Sequence, residues 1–334
     1  MRRTGWRLAA LTVVILGLAP STWLRTHVPP PEEIAAVAIR ALPIGIAEAG
    51  ELRLVGQWEL SSPSVDFGGF SALLPRPDGS FLALSDLGMA LAFPHPDQAS
   101  AGRLPARLAP AGERRYVKSA ADIEAAAQSS DGNMLWLAFE GSNRVQRSNA
   151  SWGEARSVRP PAMQHWPANS GAEAMARLED GRFIVIGEGM SWSEPSVPAL
   201  LFAGDPVEGG ESAEFRFTPP GGYRPSDMAL LPDSRALILL RGVELALPPR
   251  FTSRLVLADP ATIEAGGDWQ WHELPRFPEG MVRENYEGLT VLPRAAGGFT
   301  LWLISDDNRA AFQRTMLVEL EWVPEKQTAG EDKP

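Results

Sequence analysis

Five stretches of the chain share one alternation of apolar and polar positions. They read GFSALLPRPDGSFLALSDLG, DIEAAAQSSDGNMLWLAFEG, GAEAMARLEDGRFIVIGEG, SDMALLPDSRALILLRG and YEGLTVLPRAAGGFTLWLISDD. Each opens on a small or acidic residue and runs through a short apolar strand. It then turns at a cluster of Asp, Gly or Ser and returns through a second apolar strand. Four of the five returns end on an acid. Aligned on Ser71, Glu124, Glu173, Asp227 and Glu287, the stretches recur at steps of 53, 49, 54 and 60 residues, and joining the chain ends gives another 55. Five units thus tile residues 51–322, at the period of propeller blades.

Each unit supplies further strands. PALLFAG and AEFRFTP follow in the third unit, and RLVLAD and WQWHEL in the fourth. The last unit supplies only TMLVELEW, so its outer strand is expected from the N-terminal ELRLVGQWEL, a closure that removes the open sheet edge. SAADIEAAAQ is alanine-rich, yet its equivalence to the other opening strands outweighs local helix propensity. The predicted fold is all-β: a β-propeller of five four-stranded blades, with the N-terminal strand closing the last blade. Six blades is the alternative if an irregular region hides one.

The first 25 residues depart from this pattern. Arg2, Arg3 and Arg7 precede an uncharged run from Leu8 to Leu24, the form of an export signal or an N-terminal anchor. Residues 26–50 read as a linker and lead-in, 51–323 as the propeller domain, and 324–334 as a disordered tail. The expected location is periplasmic or secreted, with membrane contact only through an uncleaved N-terminal segment. Net charge is −10, and loss of residues 1–25 would make it −14. That charge argues against nucleic acid or an anionic membrane as partner, and the protein is expected to act as a monomer. The absence of cysteine excludes disulfides, thiolate catalysis and Cys-ligated zinc. Eleven Trp against three Tyr fit packing between sheets.

The acids acquire meaning from the topology. The first two strands of a blade are antiparallel, so the start of one and the end of the other share a face. All opening and closing positions therefore converge on one mouth of the central channel. The opening set is Ser71, Asp122 with Glu124, Asn169 with Glu173, Asp227, and Asn285 with Glu287. The closing set is Asp86, Glu140, Glu188, Arg241, and Asp306 with Asp307 and Asn308. Crowded carboxylates repel, and a cation offsets this; Ca²⁺ takes carboxylate, amide and backbone oxygens. Asp86, Glu124, Glu173, Asp227, Asp306 and Asp307 are the candidate metal ligands. Glu140, Glu188 and Glu287 are the candidate general bases. Arg241 stands where other blades close on an acid, Arg144 and Arg309 follow closing positions, and a guanidinium suits a phosphate or carboxylate. With Asn285 and Asn308 they are the candidate substrate-binding residues for a small anionic, phosphorylated or ester, substrate. The Asp-Gly pairs at 78, 131 and 180 fall in turns on the opposite face and read as structural.

Other signatures are absent. No G-x-S-x-G elbow, H-E-x-x-H helix, P-loop or dinucleotide fingerprint occurs, and His27, His95, His165 and His272 show no metal-ligand spacing.

At these residues the chain resembles the "esterase-like activity of phytase" family. Over residues 67–320 the five quoted stretches carry the resemblance, most specifically N-x-E-G-L followed by S-D-D-N. Two units depart from the pattern: Ala125 follows Glu124 where glycine is usual, and the first unit has Ser71 and no acid. The resemblance implies a phosphoester or ester hydrolase, with its acids falling on Asp86, Glu124, Glu140, Glu173, Glu188, Glu287, Asp306 and Asp307. The expected function is an exported, Ca²⁺-dependent phosphoesterase or esterase-like hydrolase. The alternative is a non-catalytic propeller that binds a ligand or partner and uses Ca²⁺ structurally.

Overall fold

The computed structural model of the chain describes residues 36–111, 122–167, 171–189, 194–244, 246 and 250–324. The expected signal or anchor over 1–25 and the tail over 325–334 lie outside these residues. Five sheets follow one another along the sequence, antiparallel except where Ser212–Phe217 pairs in parallel with Asp268–Trp269. Their innermost strands are Phe70–Pro75, Ile123–Gln128, Ala172–Arg177, Tyr223–Leu230 and Asn285–Pro293. Each packs on the next, and the fifth returns to the first, closing a ring of five blades.

The second strands explain why the sequence reads as apolar runs there. Phe81–Ser85, Met134–Phe139, Phe183–Gly187, Ala236–Glu244 and Phe299–Asp306 are buried on both faces. Alternate residues serve different neighbours. Leu135, Leu137 and Phe139 pack toward the first blade, whereas Trp136 and Ala138 pack toward the third. The same division recurs in every blade, giving five core clusters, one at each interface between blades.

The N-terminal strand closes the fifth blade as expected. Leu52–Ser61 pairs with Thr315–Trp322 from Leu60↔Thr315 to Leu52↔Trp322. The expected lead-in over 26–50 contains a strand of its own. Val37–Ala41 adds a further strand outside the closing one and also pairs with Arg103–Leu104 after the first blade's third strand. Alternation at Val37 and Ile39, both buried, gives it an inner face, which a five-residue segment shows only weakly in sequence.

Polar ties link neighbouring innermost strands. Gln128 Nε2 donates to the Pro75 carbonyl at 2.8 Å, Thr290 Oγ1 to the Leu73 carbonyl at 2.6 Å, and Leu289 N to Asp227 Oδ2 at 2.7 Å. Gly288 is needed for close approach: a Cβ there would lie 2.9 Å from Ala72 C and Leu73 N of the first blade.

Trp322 is the pin of the closure, buried in the cluster between the fourth and fifth blades and donating Nε1 to Glu51 Oε2 at 3.0 Å. Trp322→Ala is expected to cost about 3–5 kcal/mol, the usual range for a buried aromatic truncation, measured by urea unfolding.

Candidate active site

In all five blades the ladder between the first and second strands skips one residue near its start. Phe70 pairs with Ser85 and Ala72 with Leu84; Ile123 with Phe139 and Ala125 with Ala138; Ala172 with Gly187 and Ala174 with Ile186. Pro225 pairs with Leu240 and Asp227 with Leu239; Tyr286 with Ser305 and Gly288 with Ile304. The skipped residues are Ser71, Glu124, Glu173, Ser226 and Glu287. A β-bulge leaves its extra residue out of the ladder and re-aims its side chain. Ala125, where glycine is usual, leaves the bulge at Glu124 intact.

This register corrects one assignment. The residue of the fourth blade equivalent to Glu124 is Ser226, not Asp227. A shift of one position turns a side chain to the other face. Asp227 is buried and spends both oxygens on backbone amides, Oδ1 on Met228 N at 2.8 Å and Oδ2 on Leu289 N in the next blade. Burial still raises its carboxyl well above the usual range against those two amides. Asp227 is therefore a tie between blades rather than a cation ligand.

Two positions before each bulge stand Gly69, Asp122, Gly171, Arg224 and Asn285, facing the closing residues Asp86, Glu140, Glu188, Arg241 and Asp306 across the ladder. Space explains the glycines. A Cβ on Gly69, at φ +68°, would lie 2.0 Å from Asp86 Oδ1, and one on Gly171 would lie 2.7 Å from Glu140 Cα.

The structure gathers Asp122, Glu124, Glu140, Glu173, Glu188, Glu287 and Arg241. Carboxylate oxygens of Asp122, Glu124 and Glu140 lie within 4.8 Å of one another, as do those of Glu140, Glu173 and Glu188. Arg241 Nη2 donates to Glu188 Oε1 at 2.9 Å, and its Nε lies 3.6 Å from Glu287 Oε1. Asn285 Nδ2 donates to that same Oε1 at 2.8 Å. The Asn285 side chain is 1% exposed, and its Oδ1 has no hydrogen-bond partner among the described residues.

The electrostatics follow from crowding. Burial pushes Glu140 up to about 7, helped by Asp122 and Glu188 and opposed by the Gly171 amide and Arg241. Glu124 is held well above the carboxylate range by lost solvation and by Glu173, Glu287, Asp122 and Glu140. Burial does the same to Glu173, with Arg241 opposing. Glu287 is raised by burial despite Arg241 and Asn285. Burial acts to lower the Arg241 guanidinium, but Glu287, Glu173, Glu188 and Glu124 override it and hold the proton more firmly.

Other expected residues form a second group between the fifth and first blades. Burial raises Asp306 to about 8, helped by Glu287 and by Asp86 and Asp307, and its Oδ1 accepts from Asn308 N at 2.6 Å. Asp307 accepts from Gly69 N, Arg309 N and Thr315 Oγ1 at 3.0–3.1 Å, so it fastens the two blades together. Arg309 reaches the Val65 carbonyl and Asn308 is exposed, so neither meets the main cluster. The Arg144 guanidinium lies 4.1 Å over the Phe139 ring. Asn169 lies outside the described residues. The sequence reading missed Arg224, which is buried and faces Arg241 across the ladder. Aligned on Ser226, it falls two positions before the bulge, where Asp122 stands in the second blade. The fourth blade is thus inverted in charge.

The oxygen-only donors fit a hard cation. Two ligands each about 2.4 Å from Ca²⁺ are at most about 4.8 Å apart, and the oxygens of each triad lie within that limit. Six carboxylates against Arg241 also leave an excess negative charge for such an ion to neutralise.

Fold and site together define a five-bladed β-propeller with an acid-lined, arginine-braced mouth. The chain belongs to the family described as Phytase-like, esterase-like activity of phytase, which matches residues 65–309. No curated protein matches it. Among solved structures it is similar to a PQQ-bound aldose sugar dehydrogenase from Streptomyces coelicolor, at 14% identity and TM-score 0.44, covering 87% of this chain and 99% of that one. It is also similar to a calcium structure of a Trichoderma reesei family AA12 protein, at 10% identity and TM-score 0.44, covering 88% and 99%. The β-propeller domain of Cps50 (Swd1) from Myceliophteria thermophila gives 13% identity and TM-score 0.37, covering 80% and 68%. Nothing about the chemistry of the site follows from likeness at this level.

Two outcomes are expected. Glu140 and Asp306 have folded values above their unfolded ones, so the folded chain binds more protons between about pH 4.5 and 8, and stability falls as pH rises through that window. In chelator, Tm at pH 6 is expected to exceed Tm at pH 8.5. Arg241→Met, which strips the carboxylates of their counterion, is expected to cost about 3–5 kcal/mol at pH 8 and less at pH 5, as urea titrations at the two pH values would show.

Proposed function

We propose that the protein is an exported, calcium-dependent ester hydrolase, with phosphoesters as its principal substrate class. The observation that carries this reading is the meeting of Asp122, Glu124, Glu140, Glu173 and Glu188 at one mouth, with Arg241 opposite. Asp122 and Glu124 would hold the ion, with Glu140 adjoining both triads. A bound calcium ion would supply charge neutralisation and Lewis acidity.

The remaining chemistry belongs to the side chains. Arg241 offers a guanidinium, already seated among carboxylates, to the anionic part of the substrate. Glu188 and Glu287 are tied to Arg241, and Asn285 fixes Glu287 further. Glu140 has no such cationic hydrogen bond and is the carboxylate left to take a proton from attacking water. Export rests on the basic and apolar N-terminus, and fractionation of cells expressing the full chain checks it.

Glu140→Gln is expected to lower kcat for a phosphomonoester by about 10²–10⁴-fold while raising Tm in chelator, since one repelling charge is gone. Lost activity with unchanged or raised Tm supports the hydrolase. No turnover of any phosphate or carboxylic ester by the wild type with calcium supports the non-catalytic propeller instead.

A further inference from the structure

A cavity of about 550 Å³ lies between the fourth and fifth blades, a volume typical of sites for drug-sized ligands. Its wall adjoins the acid cluster at Arg241. Ser253, a wall residue, stands directly across the ladder from Arg241, and the two lie two positions from Leu255 and Leu239 respectively, so they share the face turned to the fifth blade. Tyr223 and Tyr286 start innermost strands, and Glu244 ends a second strand, so the cavity sits at the same end of the blades as the carboxylates.

The lining is aromatic and apolar at its base and charged at its rim. Tyr223, Phe251, Phe277 and Met281 supply the apolar surface. Arg254 is neutralised inside the wall: its guanidinium lies 4.3 Å over the Tyr223 ring and donates to Glu273 at 3.0 Å. Glu284 is likewise paired with Arg314 at 2.9 Å. The exposed rim then carries Glu48, Glu244 and Glu279 against Arg276 and Arg283. That is one negative charge in excess, beside a cluster that is itself acidic. A polyanion binds where cations are in surplus, and here there is none.

Resting on the hydrolase reading above, we infer that this cavity takes the organic part of the ester, and that the substrate is a monophosphate ester of a bulky uncharged aromatic group rather than a polyphosphate. The single anionic group meets Arg241. The ring lies against Phe251 and Phe277, away from water.

The test compares wild type, Phe277→Ala and Ile46→Trp. Ile46 lines the cavity and is 61% exposed, so a tryptophan there narrows the space without touching the core. With calcium present, kcat/KM is measured for 1-naphthyl phosphate, methyl phosphate and inositol hexakisphosphate. Binding of non-hydrolysable 1-naphthylphosphonate is followed separately by its fluorescence. The naphthyl ester is expected to be preferred over both others. Either variant is expected to lower the naphthyl-to-methyl ratio about tenfold or more and to weaken phosphonate binding in parallel. Phosphonate binding that both variants weaken, without any turnover, upholds the cavity and sinks the hydrolase. Turnover with no naphthyl preference, or with the hexakisphosphate preferred, overturns the inference and leaves the hydrolase standing. Absence of both binding and turnover overturns both.

Discussion

A one-residue bulge near the start of each innermost strand pushes a side chain out of the ladder at the mouth of the channel, and the character of the site depends on which residue occupies it. Glutamates stand there in the second, third and fifth blades, and serines in the first and fourth. The serines close on backbone carbonyls. Ser226 Oγ lies 3.2 Å from the Tyr286 carbonyl and Ser71 Oγ 3.4 Å from that of Gly69. The glutamates have no such outlet and crowd one another, so five copies of one backbone irregularity become a single electrostatic centre.

Crowding of this kind opposes folding, and the molecule offsets it in two ways. Protonation is one: burial lifts Glu140 to about 7 and Asp306 to about 8, and raises Glu124, Glu173 and Glu287 as well. Charge inversion of the fourth blade is the other, with Arg224 and Arg241 where the second blade has Asp122 and Glu140. Arg241 bridges to Glu188 and Glu287 in the blades on either side, and so acts as a brace as well as a cation. The rigid frame that tolerates this arrangement comes from second strands buried on both faces. Each shares its residues between two interfaces, and close-packed interfaces do not relax to let charges separate.

Much of the fold was readable in the chain. Apolar runs flanked by turns rich in Asp, Gly or Ser, at steps near fifty residues, specify hairpins repeated five times, and the orphaned strand near residue 51 specifies the closure. The strand at Val37–Ala41 was not readable, because five residues with two buried positions carry too little pattern. Convergence of the acids was readable too, since antiparallel pairing alone puts the two ends of a hairpin on one face. The family motif N-x-E-G-L gained a reason only in three dimensions: Gly288 makes room for the neighbouring innermost strand.

Residue types, their spacing and the blade period were determined by the sequence by itself, because local pairing rules act over a few residues. Which acids face the channel was decided by the tertiary structure. Asp227 and Ser226 are adjacent in the chain, yet one ties two blades through backbone amides and the other fills the bulge. Asp307 likewise secures the junction of the first and fifth blades. Register at a bulge depends on the strand alongside and on the next blade, partners that lie about sixty residues away or at the other end of the chain. No window of sequence contains both sides of that contact.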